Sequence, residues 1–441
     1  MNVNKLKDRD IKWADLVFIS GMVVQRKSFD QTVTRCKSLG ARVVAGGPMV
    51  TERPEDFPEV DHLILNEAEI TLQAFLDDLA AWSVQRVYKT DVFPDLKNTP
   101  VPDWSLLNMN QYVTMDLQYS RGCPFNCEFC SITALFGHRP RVKSSDQFLT
   151  ELDSLYSAGW RSTVFVVDDN FIGNKNYLKT ELLPGLIAWQ KNHGYPFSFN
   201  TEVSVNLADD EELMDLMAKS GFTACFVGIE TTDDDCLLEC GKNQNRGRNL
   251  LESVKLMQRK GFNVSAGFIV GFDNDNEEIF ERQFNFIQKS GIVNAMVGLL
   301  NAPYGTRLYK RLESENRIIK GLTGDNTDGS LNFVTKMDSD VLIRNYKKLV
   351  KKIYSPKYYF ERLTTFLSEY KISEIKFGKK NKKWFSTVTK VILRLGFFQS
   401  KGKSQFWKLI RETIQAYPEK IVTAVTLSVY GLHFRKVADS L

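Results

Sequence analysis

The 441-residue chain is poor in cysteine, with seven, and in histidine, with four. An odd number of thiols scattered over a chain this long excludes the dense disulfide framework of a small secreted protein and points to reduced thiols. Long apolar runs are missing as well. The opening MNVNKLKDRDIKWADL has no hydrophobic stretch behind its charges, so it reads as neither a secretion signal nor an anchor. The most apolar C-terminal stretch, Ile421 to Phe434, is broken by Gly431 and His433 and falls short of the ~20 residues that span a bilayer. These absences describe a cytoplasmic protein and leave room only for peripheral membrane contact. Excess charge is absent too: the net is +5, with the basic residues distributed rather than striped, which argues against a nucleic-acid partner. Apolar and aromatic residues are plentiful, at 43% and 12%, enough for two or three domains with buried cores.

Strand-like and helix-like patterns alternate along most of the chain, and there is no other internal repeat. DLVFIS, RVVAGGP and HLILNEAE are short apolar runs separated or followed by segments of helical period, such as FDQTVTRCKSLG and TLQAFLDDLAA. That order predicts parallel βα units. Three strands are few for such a domain, and Met1 stands almost directly before the first, so residues 1–86 read as a truncated, Rossmann-like α/β domain. Prolines at 94, 100 and 102 and weak periodicity mark 87–112 as a linker. Six further runs follow over 113–310: VTMDLQYS, TVFVVDD, FSFNTEVSV, ACFVGIE, VSAGFIVGF and AMVGLLNAP. Six βα units predict a partial (β/α)6 TIM-like barrel whose strand-end loops share one face. Residues 311–441 lose the βα rhythm and read as a helical C-terminal domain, with SPKYYFERLTTFLSEYK and KGKSQFWKLIRETIQAY as its clearest helices. The basic run FGKKNKKWF between them reads as a solvated loop, with a membrane-surface or acidic-ligand role as the alternative. The fold class is α/β.

Three of the seven cysteines fall within eight residues, Cys123, Cys127 and Cys130, in YSRGCPFNCEFCSI at the end of the first barrel strand. The spacing C-x3-C-x2-C lets a short backbone aim three sulfurs at one soft metal centre. A structural zinc site closes with a fourth ligand, and no second pair at zinc-finger spacing exists. Three ligands leave a metal position open for chemistry; the alternatives are a closed zinc site or three buried thiols. Cys236 and Cys240, four apart, read as buried thiols on one helix face, with an extra cluster as the other reading.

The stretch Tyr-Ser-Arg-Gly-Cys-Pro-Phe-Asn-Cys-Glu-Phe-Cys, at the head of a six-fold βα series, resembles the signature of radical S-adenosylmethionine enzymes. The likeness covers about Val113 to Pro303, and Phe129 stands where that motif carries an aromatic. The resemblance implies that Cys123, Cys127 and Cys130 hold a 4Fe–4S cluster whose open iron chelates S-adenosylmethionine, and that an electron then cleaves the sulfonium to methionine and a 5′-deoxyadenosyl radical. It implies further cofactor contacts at Asp168, Asp169 and Asn170 after the second strand, at Glu202 and Glu230 ending the third and fourth, and at Gly267 and Gly271 of the fifth. An Asx turn, solvated glutamates and strand-end glycines are the structural alternatives. Lys242 is a candidate partner for the methionine carboxylate, with Arg246 and Arg248 as rivals. An electron donor such as flavodoxin or ferredoxin is implied as well.

An α/β domain, a proline-bearing linker, the barrel and a helical tail together resemble the subgroup with an N-terminal cobalamin-binding domain, and within it the hopanoid-methylase-like proteins. Ser20, Gly46, Gly47 and the turn Asn66-Glu67-Ala68-Glu69 lie where such domains line the lower face and nucleotide tail of cobalamin. Two departures count against it. None of His62, His138, His193 or His433 sits in an Asp-x-His-x-x-Gly motif, and the first βα units of such a domain are missing before Asp15. The leading expectation is a cobalamin-dependent radical methyltransferase acting on an unactivated carbon of a lipid or natural product. A cobalamin-independent radical enzyme performing cyclisation, rearrangement or oxidation is the alternative, and a non-catalytic iron–sulfur or zinc protein is the third.

Overall fold

The computed structural model describes residues 6–325, 328–377, 392–398 and 401–441. Residues 378–385 of the basic run FGKKNKKWF lie outside the described residues.

The N-terminal sheet has four parallel strands in the order β1 (Leu16–Ser20), β2 (Arg42–Gly46), β3 (His62–Ile64) and β4 (Val87–Tyr88). The fourth was not among the three expected and occupies the first two positions of the expected linker. Two residues are too few to show alternation, and only the pairing of Leu63 with Val87 and of Ile64 with Tyr88 makes them a strand. One face of the sheet packs Val43, Ala45 and Leu63 against Phe29, Val33 and Cys36 of the Arg26–Ser38 helix. The other packs Val44 and Ile64 against Phe75 of the Ala68–Ala80 helix. Both faces are covered, as the near-continuous apolar runs require. Each large side chain so buried contributes about 1.5–3 kcal/mol. Parallel register puts Ser20, Gly46 and Ile64 in one row at the carboxyl ends.

Beyond β4 the chain makes three short turns, fastened by Asp95, Asp103 and Asn108. Their side chains accept the N–H of Lys97, Ser105 and Asn110 at 3.1, 3.0 and 3.2 Å.

The barrel sheet contains β5 (Met115–Leu117), β8 (Val164–Val166), β9 (Phe199–Val203), β10 (Phe222–Glu230), β11 (Asn263–Val270) and β12 (Ala295–Leu299). All are parallel and lie side by side in chain order. A short antiparallel pair, β6 (Ser120–Arg121) with β7 (Arg141–Val142), ties off the two ends of the cysteine loop. The sheet does not close, so β5 and β12 are edges. Helix starts carry the expected caps: Ser144, Asp210 and Asn249 accept the N–H of Gln147, Leu213 and Glu252 at 3.1 Å each. Along β11, buried Val264, Ala266, Phe268 and Val270 alternate with half-buried neighbours. The buried set packs outward on the helices, and the other set faces the interior.

The C-terminal region is helical: Arg307–Ser314, Ser339–Ile353, Pro356–Glu369, Lys403–Ala416 and Ile421–Ser440. The first of these straddles the boundary expected at 310–311. Arg362 is fully buried, donating to Gln288 Oε1 and to the carbonyls of Ile353 and Val293 at 2.7, 2.9 and 3.2 Å. That guanidinium fastens the tail to the barrel. Among the described residues, no helix is long and apolar enough to cross a membrane.

Candidate functional site

The cysteine loop is held from three directions. Gly122, with φ near +94°, turns the chain out of β6, and its N–H reaches the Asp169 carboxylate at 2.8 Å. A side chain there would press on the carbonyls of Arg139, Gly137 and Phe136. Within the loop, Cys123 N–H donates to the Gly137 carbonyl and Cys130 N–H to that of Cys127, while Glu128 N–H donates to the Cys240 carbonyl at 2.7 Å. From the C-terminal side, Arg311 donates to both oxygens of Glu128 at 2.7 and 3.3 Å, and Arg307 to the Asn126 carbonyl at 2.6 Å. The loop is thus preformed.

Cys123, Cys127 and Cys130 border one cavity of about 220 Å³. Burial pushes all three thiols up, Cys130 to about 12, and neighbouring thiolates add to the rise at Cys130 and Cys123. Among the described residues, no three His, Cys, Asp or Glu side chains close around a point as they do on a single bound ion. Three soft donors on one rim, mutually repulsive as thiolates, fit a cationic iron–sulfur group that takes all three.

Asp169, Asn170, Glu202, Glu230 and Lys242 border the same cavity, so with the cysteine loop residues from four successive βα units converge. Burial raises Asp169 above its usual range, against the Gly122 N–H and the Arg121 and Arg141 charges. Glu202 is wetted by the cavity, but its depth in the barrel and the like charges of Asp169 and Glu230 push it up to about 7. Asn170 accepts the Ser204 N–H at 3.1 Å, which fixes its side chain. Burial alone would lower Lys242; the Glu230 carboxylate, 2.5 Å away, and Cys127 instead hold it up, at about 12. Of the three cations considered, only Lys242 is at the cavity, since Arg248 pairs with Asp209 at 2.8 Å and Arg246 is exposed.

Asp168 and Gly271 do not border the cavity. Asp168 is turned away from the cavity: it is 1% exposed, and its oxygens accept the Tyr119 N–H, the Ser120 N–H and the Ser120 hydroxyl at 2.8, 2.8 and 2.6 Å. Consecutive residues leaving a strand point to opposite sides, so only one of Asp168 and Asp169 can face inward. Gly271 forms a strand-end turn, its N–H donating to Asp275 at 2.7 Å, and borders neither this cavity nor the next. Gly267 lies on the inward face of β11 and borders an adjoining cavity instead. Cys236 and Cys240 are buried thiols, the first donating to Asp275 at 3.3 Å.

A separate cavity of about 540 Å³ lies between the two sheets. Ser20, Gly46, Gly47 and the turn 66–69 form one side, and Gln118, Arg121 and Phe136 the other. A Cβ on Gly46 would stand 2.8 Å from the Ile64 carbonyl, and one on Gly47 would collide with Ser20 Oγ. Both glycines thus allow close packing at the strand ends, and Phe18, Val44, Ile64 and Leu72 add apolar surface to the same side of the cavity. His62 does not reach it, for its Nδ1 is bonded to the Gln85 carbonyl at 2.7 Å. Arg121, two residues before Cys123, borders this cavity and pairs with Glu67 and, at 2.9 Å, with Glu69. Arg141 holds the other oxygen of Glu67 at 2.7 Å. Sequence reasoning missed Arg121, Arg141, Arg311 and Gln244, whose side-chain amide donates to Cys127 Sγ at 3.9 Å. Arg121 alone carried a signal, its place inside the YSRGC stretch; Gln244 and Arg311 are distant in sequence from the loop they support, and Arg141 from Glu67.

Two family models match, the Radical SAM superfamily over residues 117–287 and a domain of unknown function (DUF4070) over 306–441. An uncharacterized methyltransferase of Synechocystis sp. is 41% identical over 364 residues, covering 82% of this chain and 68% of that protein. The hopanoid C-2 methylase of Rhodopseudomonas palustris is 33% identical over 365 residues, with the same 82% and 68%. In fold, the chain is similar to the cobalamin-dependent S-adenosylmethionine radical enzyme OxsB with aqua-cobalamin bound, at TM-score 0.64 and 14% identity over 100% of this chain and 74% of that one. It is also similar to the radical S-adenosylmethionine methyltransferase TsrM from Kitasatospora setae with cobalamin and a 4Fe–4S cluster bound, at TM-score 0.59 and 12% identity over 94% and 90%. A preformed three-thiol loop at the mouth of a six-stranded barrel, with relatives this similar over two thirds of their length, places the chain in the radical S-adenosylmethionine superfamily, in the family that includes the hopanoid C-2 methylase.

Proposed function

We propose that the protein is a cobalamin-dependent radical methyltransferase that places a methyl group on an unactivated carbon of a lipid or hydrophobic natural product in the cytoplasm. The observation that carries this reading is a pair of cavities: three thiols border one, and the strand-end residues Ser20, Gly46 and Gly47 face Arg121 across the other. The names of the relatives, methyltransferase and hopanoid methylase, support it.

When bound, the cluster, S-adenosylmethionine and cobalamin would supply the electron, the 5′-deoxyadenosyl radical and the methyl group. The chain's own task is to bind, orient and keep water out. Cys123, Cys127 and Cys130 would hold the cluster. Asp169, Asn170 and Glu202 offer acceptors for an ammonium group, and Lys242 offers a cation for a carboxylate, with Glu230 keeping it charged until then. Gly267, on the inward face of β11, lets the Phe226 ring pack close to the backbone, and the two would offer an adenine a flat apolar edge. Ser20, Gly46 and Gly47 would hold cobalamin in the cavity between the sheets. A small redox protein such as flavodoxin or ferredoxin would deliver the electron.

Anaerobic reconstitution with iron, sulfide and hydroxocobalamin, followed by dithionite and S-adenosylmethionine, tests the reading. Formation of 5′-deoxyadenosine together with retained cobalamin supports it. Cleavage without cobalamin retention would assign a cobalamin-independent radical enzyme, and no cleavage from a fully loaded cluster would overturn both.

A further inference from the structure

The open barrel leaves β12 as an edge strand, and an exposed edge needs a cover. The cover comes from the C-terminal region. Helix Ser339–Ile353 packs on β12, helix Ile421–Ser440 packs on that helix, and the Tyr354 hydroxyl donates to the Ala295 carbonyl of β12 at 2.7 Å. Between these helices and β11–β12 remains a chamber of about 480 Å³, within the size range of small-molecule sites. At its inner end the chamber shares Phe129, Phe226 and Glu230 with the cysteine cavity. Phe129 directly precedes Cys130. At its outer end stands His433, exposed on the last helix.

The chemistry of the wall restricts what fits. No lysine or arginine borders the chamber among the described residues. Apart from His433 at the mouth, the polar side chains that do are occupied by the protein: Glu230 by Lys242, Tyr354 by Ala295, and Asn301 by the Leu299 and Ser330 carbonyls and the Asn332 N–H. Tyr346 is engaged as well. What remains is apolar surface such as Met296, Val350, Phe434 and Val437. An anionic group carried past His433 into the chamber would lose its hydration and meet no lysine or arginine.

We propose that residues 306–441, the segment matched by a family model without assigned function, form the substrate-binding wall, and that the chamber receives an uncharged, largely apolar molecule that enters past His433 and lies with its far end beside Phe129. Only the fate of that inner end rests on the radical chemistry proposed above; the binding is a separate claim.

The test uses the full-length, cluster-reconstituted protein and the uncharged dye Nile red, whose emission rises in apolar surroundings. Decanol is expected to displace the dye at least about tenfold better than decanoate, the same chain carrying a charge. Val437→Trp and Val350→Phe, which fill the chamber, are expected to weaken dye binding by about tenfold. Uncoupled formation of 5′-deoxyadenosine in both variants should stay within about twofold of the parent, because neither residue borders the cysteine cavity. Val437→Ser, a milder change, reads the same wall if the larger residues impair folding, and is expected to weaken the dye as well. Equal displacement by decanoate, or unchanged dye binding in all three variants, would overturn the proposal. If the parent binds dye and decanol as stated but forms no 5′-deoxyadenosine, the proposed reaction fails and the chamber stands.

Discussion

The two parallel sheets are made of the same βα units but cover themselves differently. In β2 of the N-terminal sheet, Val43, Val44 and Ala45 are buried one after another, because a helix lies on each face. In β11 of the barrel, every second residue is only half-buried, because one face packs on helices and the other surrounds cavities. The difference decides where chemistry can sit. A sheet covered on both faces offers only its strand ends, and there Ser20, Gly46 and Gly47 are found. A sheet with one open face also offers positions within strands, which is how Glu202 and Phe226 reach the cysteine cavity.

The largest expected effect breaks the barrel side of this comparison alone. Replacing Cys123, Cys127 or Cys130 by Ala should abolish iron retention and 5′-deoxyadenosine formation while leaving the far-ultraviolet circular dichroism unchanged. A triple variant that keeps its iron would remove the thiols from the site. Next comes the junction. Glu67 is 4% exposed and faces two guanidinium groups, so Glu67→Ala should cost about 3 kcal/mol in urea unfolding by leaving Arg141 without its carboxylate and Arg121 with Glu69 alone. A loss within the error of the parent would show that Arg121 and Arg141 find other partners. A smaller change sharpens the N-terminal side. Ala68→Phe, at an exposed position bordering that cavity, should lower cobalamin retention after gel filtration by about tenfold while cluster loading is unaffected, since the added ring fills the space.

The smallest effect is electrostatic and concerns the strand-interior position itself. The folded chain holds Glu202 at about 7, above its unfolded value, so in the cofactor-free protein it binds a proton more tightly than the unfolded chain does. Its contribution is complete below the unfolded carboxylate pKa and is lost as pH rises through about 7. Glu202→Gln should therefore raise the thermal midpoint at pH 8 and leave it nearly unchanged at pH 4. The shift is modest because cavity water screens the carboxylate. An equal shift at both pH values would mean that packing, not charge, dominates there.

Much of this was legible in the chain, for reasons that differ by residue. The six barrel strands show because each buried face recurs with period two and each intervening helix with period near four. β4 did not show, since two residues carry no period. Asp168-Asp169-Asn170 was legible as a polar strand end, but not that Asp168 would spend its oxygens on Tyr119 and Ser120. Lys242 could be separated from Arg248 only once Asp209 was seen beside the latter. The role of the C-terminal helices was not legible at all, because an amphipathic helix reveals that it packs, not what it packs against.

By itself, the sequence determined whatever is local: three thiols within eight residues, aimed together by the short gaps between them, and the alternation of strand and helix set by side-chain period. Tertiary structure decided everything that depends on which distant groups meet. It chose Asp169 over Asp168, set Glu230 against Lys242, drew Glu67 onto Arg121 across 54 residues, and laid the last helix over an unclosed barrel. The physical reason is that backbone geometry fixes neighbours along the chain, whereas contacts between separated segments follow from which apolar faces are buried together, and polar side chains take the partners that burial leaves them.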